Sequence, residues 1–264
     1  MQFRDDQLER YARHVILREV GGAGQQKLMR SRVLVVGAGG LGSPLILYLA
    51  AAGVGAIGVV DDDTVSLSNL QRQIAHATDR VGQRKTASAA LSARAINPDT
   101  RIVEHPVRLA AANAMELIGA YDLVADGSDN FATRFLVNDA CYLARKTLVT
   151  AAILQFDGQL ATHKAHLGEP HPCYRCLFSE PPPRDLMPSC ADAGVLGALA
   201  GAMGSLQAVE VVKELLGIGV SMSWQLLIFD ALATTFRKVK VPRDPACRLC
   251  GPQATIRDLS AHAL

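Results

Sequence analysis

Neither sign of charge dominates this sequence: 27 Lys and Arg stand against 25 Asp and Glu, a formal net charge of +2. There is no broad basic field to hold nucleic acid or an anionic membrane, so any phosphate chemistry has to be local. A secretory leader is missing as well. Residues 1–7, MQFRDDQ, are charged from position 4 and lack an apolar core, which places the chain in the cytoplasm by default. Internal repeats and low-complexity segments are also missing, and 264 residues suit one principal domain. Uncharged runs do occur. Val33 to Val60 carries no charge, but its glycines and Pro44 divide it into strand, turn, helix and strand. The run from Ala193 to Val209 is too short for a membrane span and leads straight into Glu210, Lys213 and Glu214.

The element pattern predicts an amphipathic helix over 5–18, with Leu8, Tyr11, Val15 and Ile16 on one face and Asp5 as its cap. Strands follow at 33–36 and 56–60 around a helix over 41–52, then a helix over 83–96 stopped by Asn97-Pro98. A strand over 101–107, a helix over 110–118, a strand over 121–125, a helix over 132–144 and a strand over 147–153 complete a doubly wound α/β pattern. Asp157-Gly158 reads as a hairpin turn that opens an antiparallel extension. Residues 169–190 are proline-rich and read as a long connection without regular structure. A helix over 195–216, strands over 226–229 and 234–241 and a cysteine-bearing tail complete the chain. We divide this one continuous domain into an N-terminal helical segment (1–30), a nucleotide-binding region (31–153) and the extension with its crossover, long helix and tail (154–264).

Gly37-Ala38-Gly39-Gly40-Leu41-Gly42 follows a strand and opens a helix, so backbone amides can cradle phosphates there. Asp61 ends the next strand, where an acid can bond a ribose hydroxyl. These features alone suit NAD as well as ATP, or merely a tight turn. The segment from Asp61 to Gln73, containing Arg72, and Lys85 at a helix start favour a nucleotide cut at its α-phosphate, because cations there neutralise the charge that opposes an incoming carboxylate. The bland alternative is two solvated surface cations, and Asp62 and Asp63 read as loop solvation. Asp129 ends a later strand at the same sheet edge, either as a magnesium ligand or as a helix cap.

Cys173 with Cys176, and Cys247 with Cys250, are matched pairs at two-residue spacing, the pattern of one tetrahedral structural zinc site; redox or unrelated buried thiols are the alternatives. Cys141 reads as a core residue. Cys190, just before a helix, is either a nucleophile or an ordinary thiol. The histidines form no ligand set, and His163 and His166 read as a strand face.

Taken in order, Arg10-Tyr-Ala-Arg13, the glycine loop from Gly37 to Gly42, Asp61 to Val65, Asn69 to Gln73, Lys85, the acids Asp126 and Asp129 and the four paired cysteines resemble the MoeB/ThiF/HesA family, bacterial relatives of ubiquitin-activating enzymes. The resemblance runs from about Leu8 to Gly251. It implies a Rossmann-like, mainly parallel sheet extended by antiparallel strands, with a C-terminal four-cysteine zinc site. It implies that Gly37, Gly39, Gly40, Gly42, Asp61, Ser68, Asn69, Leu70, Gln71, Arg72, Lys85, Asp129 and Asn130 contact ATP and Mg2+. Arg13, Arg72, Lys85 and Asp129 would be catalytic, with Arg13 reaching a neighbouring subunit's site in a homodimer, and Cys190 could link covalently to the substrate. The implied reaction is adenylylation of the Gly-Gly carboxylate of a ubiquitin-like sulfur-carrier protein. A separate donor then supplies sulfur. The stretches Cys173 to Phe178 and Ser189 to Gly194 look most like the branch that serves molybdopterin synthase, with the thiamine branch as the alternative. A nicotinamide-dependent oxidoreductase and a non-catalytic carrier-binding protein are the rival functions.

Overall fold

The computed structural model describes residues 3–181 and 194–262. Two helices, α1 (Asp5–Val15) and α2 (Gly21–Arg30), precede β1 (Arg32–Val36), α3 (Gly42–Ala51) and β2 (Ala56–Val60). Then come α4 (Lys85–Ile96), β3 (Arg101–His105), α5 (Ala111–Gly119), β4 (Leu123–Asp126), α6 (Phe131–Leu143) and β5 (Thr147–Leu154). The chain continues through β6 (Asp157–His163), the single turn α7 (Tyr174–Leu177), α8 (Gly197–Leu216), β7 (Gln225–Asp230) and β8 (Thr235–Lys240).

The eight strands form one sheet in the order β3-β2-β1-β4-β5-β6-β7-β8. Pairing is parallel from β3 through β5 and antiparallel from β5 through β8. β1 explains itself: Val33 and Val35 point into a core shared with α3, α4 and α8, while Leu34 and Val36 point into a second core shared with α5 and α6. A strand buried on both faces is apolar throughout, which is why this segment resembles a membrane span in one dimension. Among the described residues no helix is long and apolar enough to cross a membrane. The sheet reverses its winding between β1 and β4, and in open α/β sheets the crevice beyond that switch point is where ligands bind.

Several local expectations are corrected. α1 stops at Val15 and Arg4 occupies its cap position, with Asp5 inside the first turn. The glycine-rich α2 has no apolar periodicity to betray it, and tertiary burial of Gln25 and Leu28 supports it. The β5–β6 turn is Gln155-Phe156, with Gln155 at φ 52, so Asp157 and Gly158 lie within β6. Gly158 serves packing instead: a Cβ there would meet the Met203 side chain of α8 at 2.6 Å. His163 ends β6 and His166 lies in the following 3-10 turn, so they share no strand face. The proline-rich connection contains α7, and 182–193 lie outside the described residues.

Candidate active site

The crevice beyond the switch point is a cavity of about 400 Å³, within the range of small-molecule sites. Its floor is the glycine loop between β1 and α3. Gly37 adopts φ +91, and a Cβ on Gly42 would stand 1.9 Å from the Gly37 carbonyl oxygen, so this turn closes only with glycine at position 42. Gly37, Gly39 and Gly40 line the cavity, whereas Gly42 sets the turn from behind. Asp61 fastens the loop: its Oδ2 accepts from the Ala38 amide at 2.8 Å, and its Oδ1 from the Asp63 amide at 2.9 Å.

Two cations face the loop. Lys85, the first residue of α4, is buried and donates from Nζ to Asp63 Oδ2 at 2.8 Å, so Asp63 aims an ammonium into the cavity in addition to meeting solvent. Arg72 donates from Nη1 to the Ser68 carbonyl at 3.1 Å and lies beside Gly40. Ser68, Asn69, Leu70 and Gln71 are not brought into the lining. They form a short turn, capped by Asn69 Oδ1 accepting from the Ser66 amide, that supports Arg72 and Gln73 from outside. A Cβ on Gly197 would come within 2.2 Å of the Gln71 carbonyl, so the start of α8 clamps this turn.

On the far wall, Asn130 caps α6 by accepting from the Thr133 amide at 2.9 Å. The cap is therefore Asn130. Asp129 lines the cavity, and among the described residues its carboxylate bonds to no other group, which suits a hard-cation ligand. Arg13 sits on the exposed side of α1 and lies outside the lining. Cys190 lies outside the described residues.

Three contributors were missed from sequence. Gln73 is buried in the lining with its Oε1 unpartnered among the described residues. Arg134 lines the cavity from α6, and its one visible signal is a cation preceding the apolar run Phe135 to Val137. His76 is buried between the Ala38 carbonyl, 2.9 Å from its Nε2, and Ser88 Oγ, 2.9 Å from its Nδ1. Because a carbonyl only accepts, Nε2 carries the proton and Nδ1 accepts from Ser88. Burial holds the His76 pKa below its ordinary value, and the nearby Lys85 and Arg80 press the same way. A neutral imidazole thus braces the glycine loop.

Away from the cavity, four sulfurs converge. Sγ distances are 3.8 Å for Cys173–Cys176, 3.5 Å for Cys173–Cys247 and 3.4 Å for Cys176–Cys250. A tetrahedral zinc with Zn–S of about 2.3 Å requires sulfurs about 3.8 Å apart, so the four residues fit the ion. The sulfurs pack with Ala165 and Leu249, joining the start of the proline-rich connection to the tail. The fit predicts one zinc per chain by elemental analysis, with Cys250→Ser or chelation lowering the melting temperature. Metal-free protein with an unchanged melting temperature would contradict it.

Known proteins resemble this chain in sequence and in fold. The model of the ThiF family matches residues 11–249. A sulfur carrier protein adenylyltransferase of Thermus thermophilus is 51% identical over 98% of this chain and 96% of its own length. The adenylyltransferase and sulfurtransferase MOCS3 of Sus scrofa is 48% identical over 97% of this chain, which spans 56% of that protein. Among solved structures, Escherichia coli MccB with ATP superposes with a TM-score of 0.79 at 20% identity, over 91% of this chain and 74% of that one, a likeness of fold.

Proposed function

The chain belongs to the ThiF family, and from that premise we propose that it adenylylates the C-terminal Gly-Gly carboxylate of a ubiquitin-like sulfur-carrier protein at the expense of ATP. The observation that carries this reading is the cavity itself, where glycine-loop amides at a helix start, Arg72 and Lys85 converge at the switch point of the sheet. Such a site suits a triphosphate better than a nicotinamide, which has no use for two cations. In the reaction a carboxylate oxygen attacks the α-phosphorus, the bond from that phosphorus to the bridging oxygen breaks, and pyrophosphate leaves. Arg72 and Lys85 neutralise the phosphate charge, Asp61 holds the loop and meets the ribose, and positioning supplies much of the rate.

Asp129 would hold Mg2+, a hard cation that screens the phosphates, and the four cysteines would hold a structural zinc. Cys190 would be the residue for a covalent link to the carrier if the carrier is that of the thiamine branch. Arg13, exposed on α1, would complete the site of a second copy in a homodimer. The name of the Thermus thermophilus relative speaks of a sulfur carrier, and we place the small subunit of molybdopterin synthase first as that carrier, in molybdenum cofactor synthesis, with the thiamine sulfur carrier second. Sulfur then comes from a separate donor, in the cytoplasm.

The test is exchange of labelled pyrophosphate into ATP, run in parallel with each of the two carriers. Exchange with one alone establishes the chemistry and the pathway. Exchange with neither removes the adenylylation reading for both carriers.

A further inference from the structure

Among the described residues three cations are buried, and two of them have an acid: Lys85 has Asp63 and Arg175 has Asp139. The third, Arg134, forms no ion pair, although the buried Asp126 at the end of β4 acts on the same Tyr174 hydroxyl that Arg134 adjoins. Arg134 is 8% exposed, one turn into α6. Its Nη1 donates to the Ala151 carbonyl at 3.1 Å, its Nη2 to the Ser128 carbonyl at 2.5 Å, and the Tyr174 hydroxyl lies beside it. All of these partners are neutral, and a guanidinium has five N–H groups to place. With no carboxylate in direct contact, and the buried Asp126 turned to the Ser128 amide, the guanidinium keeps N–H groups beyond these three contacts to meet a negatively charged ligand at the cavity wall.

Position identifies which anion. Arg134 is the single described residue that lines both the nucleotide cavity and a narrower cleft, about 20 Å³, between β5, β6 and α7. That cleft is walled by Gln159, Leu160, Tyr174 and Phe178 and holds no carboxylate of its own. Lys85 and Arg72 approach the cavity from α4 and the turn before it, whereas Arg134 approaches from α6 across the switch point. Phosphates drawn to the first pair leave the Arg134 fork to a separate anion beside them.

We propose that Arg134 receives the terminal carboxylate of the carrier's tail and presents it to the α-phosphate. The inference rests on the adenylylation reading above. The carboxylate enters ionised, so no proton moves, and its second oxygen stays on the guanidinium while the first forms the new bond to phosphorus. The planar fork orients as well as neutralises, which an ammonium cannot do.

Binding separates this role from bracing of the sheet ends. The probes are the molybdopterin-synthase small subunit and the thiamine sulfur carrier, each with a free C-terminal carboxylate and as the C-terminal amide, with a non-hydrolysable ATP analogue present. Wild-type enzyme is expected to prefer the free acid by about tenfold or more. In Arg134→Gln the preference collapses while affinity for the ATP analogue stays at the wild-type value; retention of the full preference overturns the proposal. Should Arg134→Gln fail to fold, the wild-type protein carries the test: the Arg134 Nε–H resonance in arginine-labelled enzyme shifts with the free acid and not with the amide, and an unmoved resonance overturns it equally. If neither carrier supports pyrophosphate exchange in wild type, the functional reading fails and this inference with it. Exchange in wild type together with an undiminished free-acid preference in Arg134→Gln defeats the inference alone.

Discussion

Lys85→Ala lowers carrier-dependent adenylate formation by roughly 10²- to 10³-fold, the loss typical when one preorganised charge aimed at a reacting centre is removed. The structure explains why the effect falls on chemistry and spares the fold. The Lys85 side chain is 8% exposed, but its partner Asp63 is 67% exposed, so truncation leaves that carboxylate in water at little cost. α4 keeps its first turn, because the Lys85 amide still donates to the Asp63 carbonyl. Arg72→Ala should behave alike, since the one described bond of its side chain is to the Ser68 carbonyl on its own turn. Single-turnover formation of the carrier adenylate, with the melting temperature measured beside it, checks both variants. Turnover at the wild-type rate in either would remove that residue from the mechanism.

Arg175→Met is the expected counterpart on stability. Asp139 is wholly buried in α6 and receives Arg175 in a two-point bond, Nε to Oδ1 at 2.8 Å and Nη2 to Oδ2 at 2.7 Å, with His262 Nε2 on the same Oδ2 at 2.8 Å. Burial by itself pushes the Asp139 carboxyl up, but the hydrogen bonds from His262 and Arg175 and the Arg175 charge together hold it below the usual carboxylate range. A carboxyl depressed on folding contributes stability that is present above its unfolded pKa and is lost as pH falls through the folded one. Removing Arg175 strands a buried charge and should cost about 3–5 kcal/mol in urea unfolding. Arg175→Met with Asp139→Leu should recover a large part of that loss, because no charge is then left unpaired. A loss under about 1 kcal/mol for the single variant would mean that water reaches the pair.

This triad also ties three distant segments, α6, α7 and the C-terminal tail, beside the four-cysteine cluster. Nothing in the local sequence announces it. Asp139 and Arg175 lie in elements whose own patterns suggest an ordinary helix and an ordinary connection, and their pairing exists only because α7 packs on α6.

The sequence by itself determined what depends on short-range chemistry. Uncharged β-branched runs separated by glycine and proline specify strands buried on both faces, and the glycine loop with Asp61 one strand later specifies the tight turn on the cavity floor. Matched cysteine pairs specify a tetrahedral ligand set whatever path the chain takes between them. Asp129 at the end of its strand was likewise placed in the cavity by the rule that ligands gather at the carboxyl edge.

Tertiary structure alone decided the rest, because those features arise where one element meets another. The glycine-rich α2 is helical through burial of Gln25 and Leu28, against its own propensity. Gly158 reads as a turn glycine but serves the close approach of α8, which displaces the hairpin to Gln155-Phe156. His76 is an unremarked histidine until Ala38 and Ser88 arrive on either side of its ring. Arg134 is one cation in a helix until β5 and the turn after β4 bring it two carbonyls, since burial and the identity of a charge's neighbours are properties of the assembled sheet and of no single stretch of chain.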